Sequence, residues 1–174
     1  MSSSPLYVAR NGTHEEFLEV YDPDEHGATE MLLAGLINRD PDARARISND
    51  MLDRGADPTV VDHGQNTLTL LLSHDDLGEG DAALVQRLVD GGADVDFRES
   101  HGDVPIKLAV KTGAESDEQR RPIYEALFGK NVDLDEPSSV RNPKNTIGRW
   151  LRMCVDRQPE DLKVLDEFLT ARGF

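Results

Sequence analysis

The chain has 174 residues, of which 37% are hydrophobic and 5% aromatic, and it carries a formal net charge of -15. This negative field disfavours nucleic acid phosphates and favours encounter with a positively charged partner. The single cysteine excludes an internal disulfide and a zinc site built from thiolates. No apolar run approaches the roughly 20 residues that cross a bilayer, and the first residues lack a signal-peptide pattern. We therefore expect a cytoplasmic protein with no membrane partner.

The predicted helices follow one another in pairs. A turn-rich segment at 21–27 separates the first pair from the second, and an acidic segment at 73–80 is expected to form a long loop. Asp40 before Pro41 is typical of a helix N-terminus, and Asp81 is expected to cap another helix. Pro122 leaves the start of one helix open. The segments expected to be helical are 5–11, 14–21, 29–38, 41–54, 67–72, 82–89, 105–111, a segment ending at 128, 146–155 and 158–169.

A motif of seven residues recurs along the chain. Residues 51–57 read Met-Leu-Asp-Arg-Gly-Ala-Asp, residues 88–94 read Leu-Val-Asp-Gly-Gly-Ala-Asp, and residues 127–133 read Leu-Phe-Gly-Lys-Asn-Val-Asp. An apolar pair, a residue tolerant of left-handed backbone, a small residue and an aspartate indicate one supersecondary unit that is copied. Asn131 replaces the turn glycine, and asparagine is the next residue to accept a positive φ at a helix C-terminus. The turn is therefore expected to persist there.

A second landmark keeps the same rhythm. Short polar turns precede an apolar residue that starts a helix, at residues 27–31, 64–68 and 102–106 and, in degraded form, at 143–147. The two landmarks together resemble the ankyrin repeat, whose signature runs Gly-x-Thr-Pro-Leu-His-x-Ala through two antiparallel helices to Leu-Leu-x-x-Gly-Ala-Asp. The resemblance implies an all-α fold, an ankyrin-like solenoid of stacked antiparallel helix pairs joined by β-hairpin-type turns. It implies one domain, 1–174, with units at about 4–22, 27–59, 64–96, 102–135 and 143–174.

The chain departs from the family pattern in two respects. Its units exceed the usual length of about 33 residues, and the excess is expected between the two helices of each unit. Trp150 stands where the family usually has alanine, and we expect its ring to cover the open end of the core in the last unit. Cys154 lies among apolar residues and is interpreted as a packed thiol.

In function, the resemblance implies a non-enzymatic protein-protein interaction module without metal or cofactor, which we expect to be a monomer. Its partner would contact the hairpin tips and the concave surface of the inner helices. Arg141 and Lys144 add positive charge near the last unit, while the early units are acidic. The residues that follow the family's contact positions are Glu25, His26, His63, Gln65, Thr69, His101, Asp103, Lys107, Lys111, Arg149 and Arg152.

Three other hypotheses remain open at this stage. The small, acidic chain could be an inhibitor or immunity-type protein that blocks a basic toxin or nuclease. It could be a metal-dependent hydrolase with an atypical site among the histidines and Asp22, Asp24, Asp75 and Asp76, although these residues lack the spacing of known metal loops. It could also be an acidic nucleic-acid mimic, although its loops show no phosphate-like spacing.

Overall fold

The computed structural model describes residues 3–174, and this part of the chain is mostly helical. It contains ten helices and a single two-stranded hairpin, in which β1 and β2 pair antiparallel. In chain order the elements are α1 Pro5–Asn11, α2 His14–Val20, α3 Ala28–Leu36, α4 Pro41–Asp53, β1 Val61–Asp62, β2 Gln65–Asn66, α5 Thr67–Leu71, α6 Asp81–Asp90, α7 Pro105–Lys111, α8 Asp117–Gly129, α9 Ile147–Arg157 and α10 Lys163–Ala171.

The helices pack in pairs and in two rows. Each odd-numbered helix contacts the even-numbered helix that follows it, so that each of the five predicted ranges contains one pair. In one row α1 contacts α3, α3 contacts α5 and α5 contacts α7. In the other row α2 contacts α4, and the contacts continue through α6 and α8 to α10. We call the odd-numbered helices inner and the even-numbered helices outer. One apolar core runs between the two rows.

Local sequence explains most helix starts. The side chain of Asp40 accepts the backbone N–H of Asp42, and Pro41 occupies the first helical position of α4, as predicted. Thr13 and Asn66 form capping boxes at α2 and α5. Asp81 was expected to be a capping residue before its helix, but it is the first residue of α6 and its carboxylate is buried. There it accepts two hydrogen bonds from the buried guanidinium of Arg44.

The repeated motif forms the same turn each time. Gly55, Gly92 and Asn131 have φ values of 91°, 100° and 57°, which confirms the prediction that asparagine replaces the glycine without changing the turn. In each case the backbone N–H of the next residue donates to a carbonyl in the last helical turn. Gly173 closes α10 in the same way, with a φ of 84°. Four of the five outer helices, α4, α6, α8 and α10, therefore end alike, whereas α2 ends at Tyr21 in an extended conformation.

The extra length of the units lies between the helices, as predicted, only in the third unit. Only the third unit has a long connection between its helices, at residues 72–80, whereas residues 37–40 suffice between α3 and α4. In the second unit the length lies in α4, which has 13 residues. The long connection is held by its neighbours: Gly113 donates its N–H to the Asp75 carbonyl at 2.7 Å and accepts from Leu77 at 2.8 Å. His74 donates to the Leu36 carbonyl at 2.8 Å.

Trp150 also contacts the preceding helix pair, which was not predicted. Its ring lies 4.8 Å from Nζ of Lys107 and 5.9 Å from Nζ of Lys111, both on α7. The ring is partly buried against the core, and its face attracts the two ammonium groups. The ring of Phe174 instead packs against Gly148 on α9.

Candidate binding surface

The predicted hairpin tips form a connected layer. Gly64 accepts a backbone hydrogen bond from Ser100 at 3.0 Å, and the side chain of Gln65 donates to Glu99 at 3.0 Å. Further along, Arg98 donates to the Pro137 carbonyl at 2.6 Å. The hairpin at residues 61–66 is thus tied to the turn at residues 98–103, and that turn is tied to Pro137, whereas the turn before α3 forms hydrogen bonds only within itself.

Glu99 is the central acceptor of this layer. Its side chain is buried and receives hydrogen bonds from the Asp103 N–H at 2.8 Å and from Nδ1 of His101 at 3.0 Å, besides that of Gln65. Burial alone would raise the pKa of this carboxyl, but the hydrogen bonds outweigh burial and lower the pKa. Sequence reasoning missed Glu99 because nothing in a polar turn indicates which carboxylate becomes buried.

Two of the predicted histidines are exposed at the tips. His63 has a φ of 49°, and its Nδ1 lies 2.7 Å from Asp62. The side chain of His101 is 85% exposed although its Nδ1 contacts Glu99. Both rings therefore present their remaining edge to solvent, where a partner can reach them.

His26 has a different environment from the other two histidines. Its Nδ1 accepts the backbone N–H of Asp22 at 3.0 Å, which closes a local turn, and its ring is tilted against Tyr21. Gly27 has a φ of -69° and lacks the left-handed conformation of the other tip glycines, because no hairpin forms here. The equivalence predicted for the three histidines is therefore wrong for His26. Glu25 in the same turn is exposed.

Thr69 and Lys107 were predicted to contact a partner, and the structure contradicts both. Thr69 is fully buried because its hydroxyl completes the capping box of α5 by accepting the Asn66 N–H at 2.9 Å. Lys107 is 5% exposed, and its ammonium donates to the Ser138 carbonyl at 2.5 Å while contacting the Trp150 ring. Both side chains serve the fold, since their polar atoms are used within the protein.

Of the remaining predicted cations and Asp103, some side chains are exposed to solvent and others are held by contacts within the protein. Lys111 is exposed and donates to Asp103 at 2.9 Å. Arg152 is held by α10 and the end of the chain, through Asp166 at 2.7 Å and the Phe174 carbonyl at 2.5 Å, so it does not belong to the inner surface as predicted. Arg149 is exposed on α9. The predicted basic end of the groove is therefore reduced to a few exposed side chains.

One feature of the inner surface was not predicted. A concave depression of about 490 Å³ crosses the first three inner helices and reaches the β1–β2 hairpin. Its lining is mostly apolar and includes His63 and Gln65 from the predicted set. We call it the inner groove. Its lining residues are Leu6, Arg10, Glu30, Leu33, Ala34, Ile37, Asp62, His63, Gln65 and Leu70.

The inner groove arises from helical spacing. Glu30 and Leu33 are three residues apart and so share one side of α3, and Ile37, the residue directly after α3, continues this side. Leu6 on α1 and Leu70 on α5 extend this apolar strip across the neighbouring helices. The sequence contained a signal for this surface, because α3 is apolar on more than one side. Without knowledge of the neighbouring helices, however, such residues are interpreted as part of the core.

The acidic segments considered for a hydrolase lie far apart. Asp22 and Asp24 precede the N-terminus of α3, whereas the connection holding Asp75 contacts its C-terminus through His74 and Leu36. At 1.5 Å per residue the nine residues of α3 separate them by roughly 13 Å. Within residues 3–174 no group of three or more His, Cys, Asp or Glu side chains is arranged to hold a metal ion. The helices of this part are all too short or too polar to cross a membrane.

Comparison with known proteins identifies a similar fold without a function. No protein-family model matches the chain, and no curated protein matches it in sequence. The crystal structure of a functionally unknown protein from Leptotrichia buccalis C-1013-b is similar, with a TM-score of 0.77 and 20% sequence identity. The alignment covers 98% of this chain and 95% of that chain. At this level of identity the similarity shows the fold alone: the chain shares its mostly helical architecture with that protein along nearly its whole length.

Proposed function

We propose that the protein is a non-enzymatic protein-binding module whose helix pairs form an ankyrin-like solenoid. The observation that carries this proposal is the inner groove, an apolar strip open to solvent across three helices and bordered at one end by the β1–β2 hairpin. A contiguous exposed apolar surface with a polar border is typical of an interaction site. Four outer helices end at a turn that contains a residue with positive φ, and this repetition supports the solenoid.

Rigidity favours binding on this surface. The tip layer is connected by hydrogen bonds from Ser100 to Gly64 and from Arg98 to Pro137, and the groove is lined mostly by helical residues. A partner therefore orders few side chains and no loop of this protein when it docks. Less conformational entropy is lost, so more of the interaction energy contributes to affinity.

The charge supports a basic partner, as expected of an inhibitor or immunity-type protein. The net charge of -15 attracts a cationic protein over distances of about the Debye length, roughly 8 Å at physiological salt. The steering raises the association rate more than it lowers the dissociation rate. We propose a monomer that acts by covering part of its partner.

Site-specific photo-crosslinking in the source cells tests the proposal. A benzoylphenylalanine replaces Ile37 in the inner groove or His63 at the tip, and a matched probe replaces Leu18, which is 46% exposed on α2. We expect a discrete protein adduct from the groove or tip positions, absent from Leu18. The yield should fall when cells are lysed into high salt before irradiation, because the encounter is electrostatic.

The same experiment can refute the proposal. Equal adducts from all three positions would indicate nonspecific contact, and the absence of adducts from every position on the inner surface would rule out protein binding there. Thermal unfolding of each probe-bearing variant verifies that the fold is retained.

A further inference from the structure

We propose that the inner groove selects one kind of segment from the partner protein: aliphatic side chains on its floor and a lysine or arginine at its hairpin end. This inference rests on the proposed function, since it names the chemistry that a protein partner must bring. It is carried by the floor of the groove and by the distribution of charge around it.

The floor requires aliphatic side chains. Leu33 on α3 and Ile37, which directly follows α3, are half-buried, as is Leu70 on α5, and Leu6 on α1 also lines the groove. Each keeps part of its apolar surface exposed, so water contacts this strip in the free protein. Covering such a strip with aliphatic groups removes apolar area from water at roughly 25 cal/mol per Å². Polar side chains placed there would lose water without gaining a partner.

The hairpin end of the groove requires a cation. Glu30 is exposed in the first turn of α3, and within residues 3–174 its carboxylate forms no ion pair. Asp62 on the β1–β2 hairpin also lines the groove, and its one neighbour of opposite potential charge is His63, whose side chain is 90% exposed. Two carboxylates at the edge of an apolar surface match a long cationic side chain, whose methylenes pack while its charge reaches the oxygens.

The opposite end has the opposite charge. Arg10, in the last turn of α1, lines the groove and also borders a second depression, whose charged residues are Arg10, Arg39 and Asp40, two cations against one carboxylate. In the described residues neither guanidinium forms an ion pair. The charge therefore changes along the groove: it is negative at the hairpin end and positive at the end near the helix C-termini. A bound segment has one favoured direction, with its basic residue near Glu30.

Other occupants fit this groove less well. A second copy of the chain would bring another net charge of -15, and the repulsion opposes self-association. A neutral apolar small molecule would fill the floor but leave both charged ends without a partner. Only a segment with aliphatic and cationic side chains satisfies the floor and the hairpin end together.

Selection from a random dodecapeptide library displayed on phage tests the inference. The immobilised probes are the wild-type protein, Leu33→Glu, Glu30→Arg, and the matched control Leu18→Glu, which places the same charge on outer helix α2. We expect wild type and Leu18→Glu to enrich peptides in which two or more aliphatic residues accompany a lysine or arginine. A synthetic copy of the leading peptide should bind Leu33→Glu at least about tenfold more weakly.

Charge reversal provides the sharper test. Glu30→Arg should weaken the binding of the same peptide by about tenfold. Selection on this variant should enrich peptides that carry aspartate or glutamate at the position of the cation. Circular dichroism and thermal unfolding exclude loss of the fold as the reason. No enrichment, enriched peptides without a cation, or equal binding to wild type and Leu33→Glu would each overturn the inference. A concentration-dependent dimer that Leu33→Glu abolishes would assign the groove to a second copy and would also overturn it.

The inference and the proposed function can fail separately. A discrete crosslink from His63, together with none from Ile37 and no peptide selection, would keep the protein-binding function and remove the groove as its site. An adduct from Ile37 whose partner segment is acidic would keep the site and remove the proposed chemistry.

Discussion

Asp117 connects the last two helix pairs, and its removal should destabilise the protein more than any exposed charge. The carboxylate is buried at the start of α8. One oxygen accepts the N–H groups of Val164 and Leu165, each at 2.8 Å, in the first turn of α10. The other accepts the Tyr124 hydroxyl at 2.6 Å and Arg120 at 3.2 Å. Because α10 has no capping side chain of its own, Asp117 caps it from another helix.

The expected cost of Asp117→Ala follows from these contacts. Removing one partner of a buried ion pair costs about 3–5 kcal/mol, and losing a helix cap costs about 1 kcal/mol. Arg120 retains the carbonyls of Ala109 and Thr112, which softens the loss of the ion pair. The contributions overlap, so we expect a decrease of about 4 kcal/mol in the free energy of unfolding. This is a large part of the about 5–15 kcal/mol typical of a folded domain.

Urea unfolding measures this loss by far-ultraviolet circular dichroism and by the fluorescence of Trp150, the only tryptophan. The matched control is Glu118→Ala, which removes the next carboxylate of α8 and an exposed pair with Arg121. Its midpoint should barely move, because exposed pairs contribute little. Hydrogen exchange should show α10 losing protection first in Asp117→Ala. If Asp117→Ala and Glu118→Ala unfold at the same urea concentration, the assignment of Asp117 as a buried connector is wrong.

Three further outcomes are expected. Asn131→Gly should match or exceed the wild-type stability, whereas Asn131→Ala should lose about 1 kcal/mol in urea unfolding, because alanine opposes the φ of 57°; equal stability of the two variants would contradict this. Burial lowers the pKa of His74, so the unfolded chain binds its proton first and stability falls as the pH drops below about 6.5. His74→Gln should remove part of that decline between pH 7.5 and 5.5, and an unchanged slope would count against it. Burial raises the pKa of the Cys154 thiol, so iodoacetamide at pH 7.5 should alkylate it more slowly than free cysteine, as mass spectrometry can follow; equal rates would place the thiol in solvent.

The sequence predicted the turns better than the connections. The left-handed turn at Asn131 and the cap at Asp40 depend on a few adjacent residues, and both are as predicted. The connection at 72–80 was predicted as a loop, but its pairing with Gly113 depends on a segment more than 30 residues away. Local chemistry determines a turn, whereas the docking of a loop depends on which helices become neighbours.

The candidate surface shows the same difference between features that depend on adjacent residues and features that depend on distant ones. Exposure at His63 and His101 could be predicted from a polar turn, but the burial of Thr69 and Lys107 could not. A threonine three residues after Asn66 signals a capping box, and this local signal was available in the sequence. The environment of Lys107 depends on Trp150, which lies on another helix.

What the sequence by itself determined is the sequence of helix pairs, the residues that end the outer helices and the negative charge, because each depends on spacing or composition within one unit. The tertiary structure alone decided which apolar residues of α3 enter the core and which line the inner groove, and which charged groups are buried. Leu32 is fully buried and Leu33 is not, although they are adjacent leucines. The physical reason is that burial depends on the neighbouring helices, and their positions follow only when all five pairs have packed together.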